Sequence, residues 1–167
     1  ARTADGAVVI YVPTRRLAEL VTRALRLRSV PAAPYHAGLG NDVRRRVLGA
    51  FLRDRLRVIV ATTAFGMGID KPDVRRVLHW GPARTLDGYY QEAGRAGRDG
   101  APAECRLLWR PEDFAHGEIA PAMRRYVESR TCRRRTLLAY FGERLGRCAG
   151  CDRCAPRRGT WPGAGAR

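Results

Sequence analysis

The chain has 167 residues, with 32 Lys+Arg against 16 Asp+Glu, giving a formal net charge of +16 and a sequence pI near 11.1. Hydrophobic residues make up 45%; a chain of this length buries roughly 70% of its unfolded surface, which allows one compact domain with a small appendage and argues against intrinsic disorder. No stretch approaches the ~20 apolar residues of a membrane span, and no charged-then-apolar leader opens the sequence, so a soluble, cytoplasmic chain without a membrane partner is expected.

Residues Ala7 to Val12 form an apolar run of strand length, and Leu17, Leu20, Val21, Ala24 and Leu25 follow at helical spacing. A short strand is predicted around Ala33 to Tyr35, then a helix capped by Asn41 with Val43, Val47, Ala50 and Phe51 on its apolar face. The β-branched run Val58-Ile59-Val60 is the kind buried on both faces of a parallel sheet. Beyond a glycine-rich loop, Val74 to His79 is another strand. Thr85 caps a helix carrying Leu86, Tyr89, Tyr90 and Ala93, and Cys105 to Trp109 makes a last strand. This alternation predicts an open, mostly parallel α/β sheet over residues 1 to ~110. After Pro111 the β-branched runs vanish: Met123 to Phe141 reads as helical, and the Gly, Pro, Ala and Arg tail from Pro156 is expected to be disordered and basic, with no assigned role.

The charge is almost all arginine, since Lys71 is the only lysine. Codon composition and function both account for such a bias, but distribution discriminates further. Residues 1 to 122 hold 20 basic and 13 acidic side chains, and residues 123 to 167 hold 12 and 3. A net charge this large, densest in the last quarter, points to a polyanionic partner, most commonly nucleic acid.

Five cysteines stand at 105, 132, 148, 151 and 154. Cys132, Cys148, Cys151 and Cys154 have the spacing C-x15-C-x2-C-x2-C, which lets four thiolates converge on one Zn²⁺ in a closed structural site. Disulfide pairing is disfavoured in a chain without a secretory signal. Cys105, inside an apolar strand, is expected to act as a small buried hydrophobe. Metal binding would supply much of the folding free energy of residues ~110 to 155, so chelation is expected to unfold that region alone.

Two stretches carry further chemistry. Val58 to Asp73 runs from a buried strand through Thr62-Thr63 to Gly66 and Gly68, and glycines at the carboxyl end of a parallel strand let backbone approach a phosphate. A plain strand-to-loop turn has the same composition. In Tyr89-Tyr-Gln-Glu-Ala-Gly-Arg-Ala-Gly-Arg-Asp-Gly100, Gly94 and Gly97 thin the segment so that Arg95 and Arg98 project to one side, as two permanently charged forks suited to phosphate oxygens. A solvated arginine-rich turn is the alternative.

Together these stretches resemble the second motor lobe and zinc-binding subdomain of RecQ-type ATP-dependent DNA helicases, over Ala7 to Cys154. The resemblance is carried by Tyr35-His-Ala-Gly-Leu39, Ala61 to Val74, Tyr89 to Gly100, and Thr131-Cys-Arg-Arg with Tyr140-Phe-Gly-Glu143. It implies a RecA-like lobe over 1–110, open and mostly parallel with helices on both faces, then a small helical zinc-binding subdomain over 111–155 and a tail over 156–167. Gln91 to Arg98 match helicase motif VI, whose arginines reach the γ-phosphate of ATP held on the other lobe; Arg98 is the first choice of finger, Arg95 the second, and Gln91 joins them. Asp70 and Gly68, in the segment resembling motif V, are implied to approach the nucleotide or couple its state to the DNA grip. Thr14, Arg15, His36, Thr62 and Thr63 are implied to contact the backbone of single-stranded or forked DNA. His36 also reads as an ordinary turn histidine, Tyr89 and Tyr90 as core aromatics, and His79 and His116 as structural. Two departures are Pro13 in the motif IV region and Gly81-Pro82-Ala83, where the family's usual sequence is acidic, apolar, Pro.

A P-loop requires Gly-Lys-Ser/Thr, yet the only lysine precedes Pro72, and no Asp-Glu dipeptide is present to hold Mg²⁺. ATP and Mg²⁺ are therefore expected to bind only together with a P-loop-containing first lobe. In a complete motor the resemblance implies 3′ to 5′ travel and a nucleoid-associated protein. The alternative is a non-catalytic, zinc-dependent DNA-binding protein derived from a split or decayed helicase gene.

Overall fold

The computed structural model describes residues 6–66, 69–115, 118–148 and 150–154. Gly68, His116 and the tail 156–167 lie outside the described residues. The elements run β1 (Ala7–Tyr11), α1 (Arg15–Arg26), β2 (Ala32–Tyr35), α2 (Asn41–Leu52), β3 (Val58–Ala61), β4 (Val74–Trp80), α3 (Leu86–Ala93), β5 (Glu104–Leu108), a 3-10 turn at Pro111–Phe114, α4 (Pro121–Glu128) and α5 (Arg133–Tyr140). All strand pairs are parallel and the order is β2-β3-β1-β4-β5.

Period-2 alternation in β1 divides the core. Val9 and Tyr11 face Phe51, Ile59, Phe65 and Val77, with Val47 and Leu48 of α2 packed on top. Ile10 and Val12 face Ala18 and Val60, with Leu17, Val21 and Leu25 of α1 on that side. Helices therefore cover both faces, because β1 to β2 and β2 to β3 step across the sheet in opposite directions and right-handed crossovers then place α1 and α2 on opposite sides. A third cluster joins Leu86 and Tyr89 of α3 to Met123, Tyr126 and Val127 of α4. That shared core ties the segment after the sheet to the sheet itself.

Several local expectations need correction. Gly40 rather than Asn41 occupies the N-cap of α2 without a side-chain cap bond, while the Asn41 amide oxygen accepts instead from Arg44 within the helix. Strand and helix do not alternate between β3 and β4, which a loop connects. The 123–141 stretch is two helices, because Ser129 leaves helical geometry at ψ 138 and the Ser129 and Thr131 hydroxyls bond each other at 2.8 Å. Cys105 is exposed, since β5 is a sheet edge, although its Sγ donates to the Ala93 carbonyl at 3.4 Å. Leu20 is exposed on the outer side of α1, and Tyr90 is half-exposed while Tyr89 is buried. The cap of α3 is as expected, with Thr85 Oγ1 accepting from the Gly88 amide at 3.1 Å.

Candidate functional site

Motif-like residues collect in three places. The first is the loop from Thr62 to Asp73, which crosses from the carboxyl end of β3 to the amino end of β4. It is anchored by apolar insertion: Phe65 lies edge-on to Tyr35 and Phe51, and Ile69 joins the same core. Tyr11 donates its hydroxyl to the Phe65 carbonyl at 2.8 Å. At the far end Lys71 is 5% exposed and bonds Asp54 and Asp73 at 2.7 and 2.9 Å over the Phe51 ring. Lys71 is thus a structural clamp on this loop.

The turn after α3 meets that loop. Gly97 takes φ +65, its amide bonds the Val74 carbonyl at 2.9 Å, and a Cβ there would lie 2.8 Å from the Ala101 carbonyl oxygen, so this return admits only glycine. Arg95 Nη1 donates to the Ile69 carbonyl at 3.0 Å, and Arg98 Nη1 reaches Asp70 at 3.0 Å. Both guanidinium groups therefore converge on two consecutive residues of the loop. They differ in freedom: the Arg95 Nε is buried without a partner, whereas the Arg98–Asp70 pair is open to solvent, with side chains 40% and 80% exposed. An exposed pair contributes about 0–1 kcal/mol, so Arg98 exchanges Asp70 for a competing anion at little cost. Gln91 is exposed on α3.

Behind the arginines lies a buried pair that sequence reasoning left as a structural histidine and an unremarked glutamate. His79 Nε2 and Glu92 Oε2 are 2.8 Å apart, with the His79 ring stacked on Tyr11 at 5.2 Å and beside Tyr89 at 4.9 Å. Burial pushes the Tyr11 hydroxyl pKa well up, against the opposing pull of Arg95, and so keeps the phenol protonated as a donor. The only sequence signal was the separation of the two residues, on a strand and on the helix that follows it.

The second place is the carboxyl edge of the sheet. Because β2, β3 and β1 are neighbours, the loops bearing His36, Thr62-Thr63 and Thr14-Arg15 stand side by side. Thr63, Thr14 and Arg15 are exposed, and Thr62 is half-buried. Thr14 Oγ1 is engaged as the N-cap of α1, accepting from Leu17 at 3.1 Å. His36 is buried, its Nε2 3.0 Å from Glu19 Oε1, and Arg15 lies against the Gly38 turn beside it.

The third place is the cysteine cluster. The Sγ atoms of Cys132, Cys148, Cys151 and Cys154 all lie within 4.8 Å of one another, and those of Cys132 and Cys151 are 3.9 Å apart. Sulfurs bound to one tetrahedral Zn²⁺ at ~2.3 Å stand ~3.8 Å from each other, so the donor set fits that ion. Burial works against the Cys151 thiolate, but the backbone N–H groups of Arg153 and Arg133 prevail and hold it down to about 6; contacts with Cys132 and Cys151 push Cys154 up to about 12.

Comparison with known proteins agrees with this arrangement. The fold is shared with solved DEAD box proteins: one from Methanococcus jannaschii superposes with a TM-score of 0.60 at 22% identity over 66% of this chain and 31% of its own. The C-terminal domain of the DEAD-box protein Dbp5 does so with a TM-score of 0.60 at 21% identity over 82% of this chain and 71% of its own. Residues 1–100 match the helicase conserved C-terminal domain, and the chain belongs to that class. Residues 115–155 match the RecQ zinc-binding region. Similar sequences include the ATP-dependent DNA helicase RecQ of Haemophilus influenzae, 43% identical over 87% of this chain and 26% of the relative. The bifunctional 3'-5' exonuclease/ATP-dependent helicase WRN of Mus musculus is 38% identical over 92% of this chain and 13% of the relative. The chain therefore joins a helicase C-terminal domain to a RecQ-type zinc-binding region, and spans about a quarter or less of those two relatives. Among the described residues no helix is long and apolar enough to cross a membrane.

Proposed function

We propose that this chain is the second motor lobe and zinc subdomain of a RecQ-type ATP-dependent DNA helicase, divided as a RecA-like lobe over 1–110 and a helical subdomain over 111–155. The observation that carries this is the convergence of Arg95 and Arg98 on Ile69 and Asp70. Arg95 is held by a backbone carbonyl and braces the loop. Arg98 rests on an exposed carboxylate that a γ-phosphate, held on a P-loop lobe with Mg²⁺, replaces as the lobes close. Arginine fingers of this kind contribute roughly 10³–10⁵ in rate. Gln91, exposed on α3, joins these arginines, and Gly68 is assigned to the nucleotide from its place in the sequence.

Release of Asp70 from Arg98 transmits the nucleotide state into the 62–73 loop, whose other end carries Thr62 and Thr63. Those residues, with Thr14, Arg15 and His36, form the DNA-backbone contacts along the sheet edge, and cycles of closure move the strand in the 3′ to 5′ sense. Such a DNA partner makes the protein cytoplasmic and nucleoid-associated. Cys132, Cys148, Cys151 and Cys154 hold one structural Zn²⁺, which supplies a cross-link between α5 and the 148–154 segment.

The test is Arg98→Ala in a preparation that combines this chain with a P-loop lobe. Loss of nearly all DNA-stimulated ATP hydrolysis, with DNA affinity close to wild type, is the expected result. Loss of DNA affinity with hydrolysis per bound complex unchanged would show that Arg98 belongs to the DNA track.

A further inference from the structure

The outer surface where α3 meets α5 presents three aromatic rings together. Tyr90, Tyr140 and Phe141 are 46%, 45% and 39% exposed. The Tyr90 and Phe141 ring centroids are 4.8 Å apart, and those of Phe141 and Tyr140 5.1 Å. Tyr140 is held in place by its hydroxyl, which donates to Asp87 in the first turn of α3 at 2.7 Å. Single exposed apolar residues are ordinary on a protein surface, but contiguous aromatic clusters mark an interaction site.

Charge identifies what the cluster meets. Of the three acidic residues after position 122, Glu128 pairs with Arg124, Asp152 with Arg133 and Arg153, and Glu143 is exposed beside Arg144, so basic side chains still outnumber acidic ones around the rings. Arg134, Arg144 and Arg147 are exposed and have no carboxylate partner among the described residues. Their positions tie them to the rings: Arg134 lies two turns of α5 before its C-cap Phe141, and Arg144 and Arg147 follow in the non-helical segment that leaves that cap. An aromatic step with an unpaired cationic rim is complementary to a flexible polyanion that carries flat, accessible rings.

Topology supplies the path. The loops bearing His36, Thr62 and Thr14 stand in the order β2-β3-β1 along the carboxyl edge, β4 is next, and α3 begins just beyond the carboxyl end of β4. Adjacent strands are ~4.8 Å apart, so a strand laid along this edge covers ~14 Å between the β2 and β4 positions and then meets the first turn of α3, where Asp87 holds Tyr140.

We propose that Tyr90, Phe141 and Tyr140 form a stacking step for the bases of single-stranded nucleic acid leaving the sheet edge, with Arg144 and Arg147 taking its phosphates. This rests on the nucleic-acid reading given above and adds a site to it. Duplex bases are already stacked on one another, so the step selects unpaired strand.

The probe is a short oligothymidylate containing one 2-aminopurine, titrated with the whole zinc-loaded chain at low salt. Tyr90→Ala removes one ring, and Phe141→Leu keeps apolar packing while removing the π face. Each is expected to weaken binding by about 5- to 150-fold and to reduce the 2-aminopurine fluorescence change, with zinc content, thermal unfolding and the salt slope unaltered. Wild-type affinity and fluorescence response in both Tyr90→Ala and Phe141→Leu would overturn the proposal. So would unaltered DNA binding accompanied by lost association with a P-loop lobe, which would make the patch a protein contact. A wild-type chain that fails to bind the oligonucleotide at low salt would instead remove the nucleic-acid reading itself.

Discussion

At the scale of single residues, what matters is how each cation is held. Lys71 is buried against Phe51 between two carboxylates, Arg95 is fixed to a carbonyl, and Arg98 is the one of these three whose partnership water can replace. Burial lowers the Lys71 pKa, but its hydrogen bonds to Asp54 and Asp73 more than offset this and hold it above the usual lysine value. A raised lysine pKa means that the charged form stabilises the fold below that value, and the contribution fades as pH rises through it. Lys71→Met is accordingly expected to cost about 1–3 kcal/mol at neutral pH, and the gap to wild type to shrink in alkaline solution, as read by denaturant unfolding at several pH values. A gap that grows with pH would contradict the clamp. Phe51, fully buried at the centre of one face, has a simpler role: Phe51→Ala is expected to cost about 3–5 kcal/mol by the same measurement.

Among the elements, α4 and α5 are secured differently. Met123, Tyr126 and Val127 bury α4 in the core of α3, whereas α5 adds only the half-buried Leu137 to that core and otherwise depends on the cysteine cluster, on Arg133 donating to the Tyr126 and Val127 carbonyls, and on the Tyr140–Asp87 bond. This narrows the expectation that metal loss unfolds everything after ~110. On chelation, amide exchange is expected to rise across residues 133–154 while α4 and the sheet stay protected; loss of protection in α4 would show that zinc holds the whole segment. The sheet was legible in the sequence because β1 and β3 bury β-branched runs, and Thr85 announced α3 by cap chemistry. The break at Ser129 was hidden, since Met123 to Tyr140 keeps helical periodicity while side-chain hydroxyls compete for its backbone. Exposure of Cys105 depends on β5 being an edge strand, a fact of topology that no local pattern records. The four cysteines were legible from spacing alone, whereas the Arg98–Asp70 and His79–Glu92 pairs join distant segments and became visible only in three dimensions.

For the molecule as a whole, the proposed function divides the +16 charge into distinct duties: Arg95 and Arg98 serve the nucleotide side, and the zinc-subdomain arginines without a carboxylate partner among the described residues face polyanion. DNA affinity is expected to fall steeply and linearly on a log–log plot against salt, as counterion release requires; an affinity insensitive to salt would contradict an arginine-driven grip. The central claim is that this lobe carries the arginine half of an ATP site whose phosphate-binding half lies on another lobe. DNA-stimulated ATP hydrolysis measured with this chain alone, and again after mixing with a P-loop helicase lobe, tests it most directly. The account predicts no hydrolysis by the chain alone and turnover in the mixture; sustained turnover by the chain alone would contradict it.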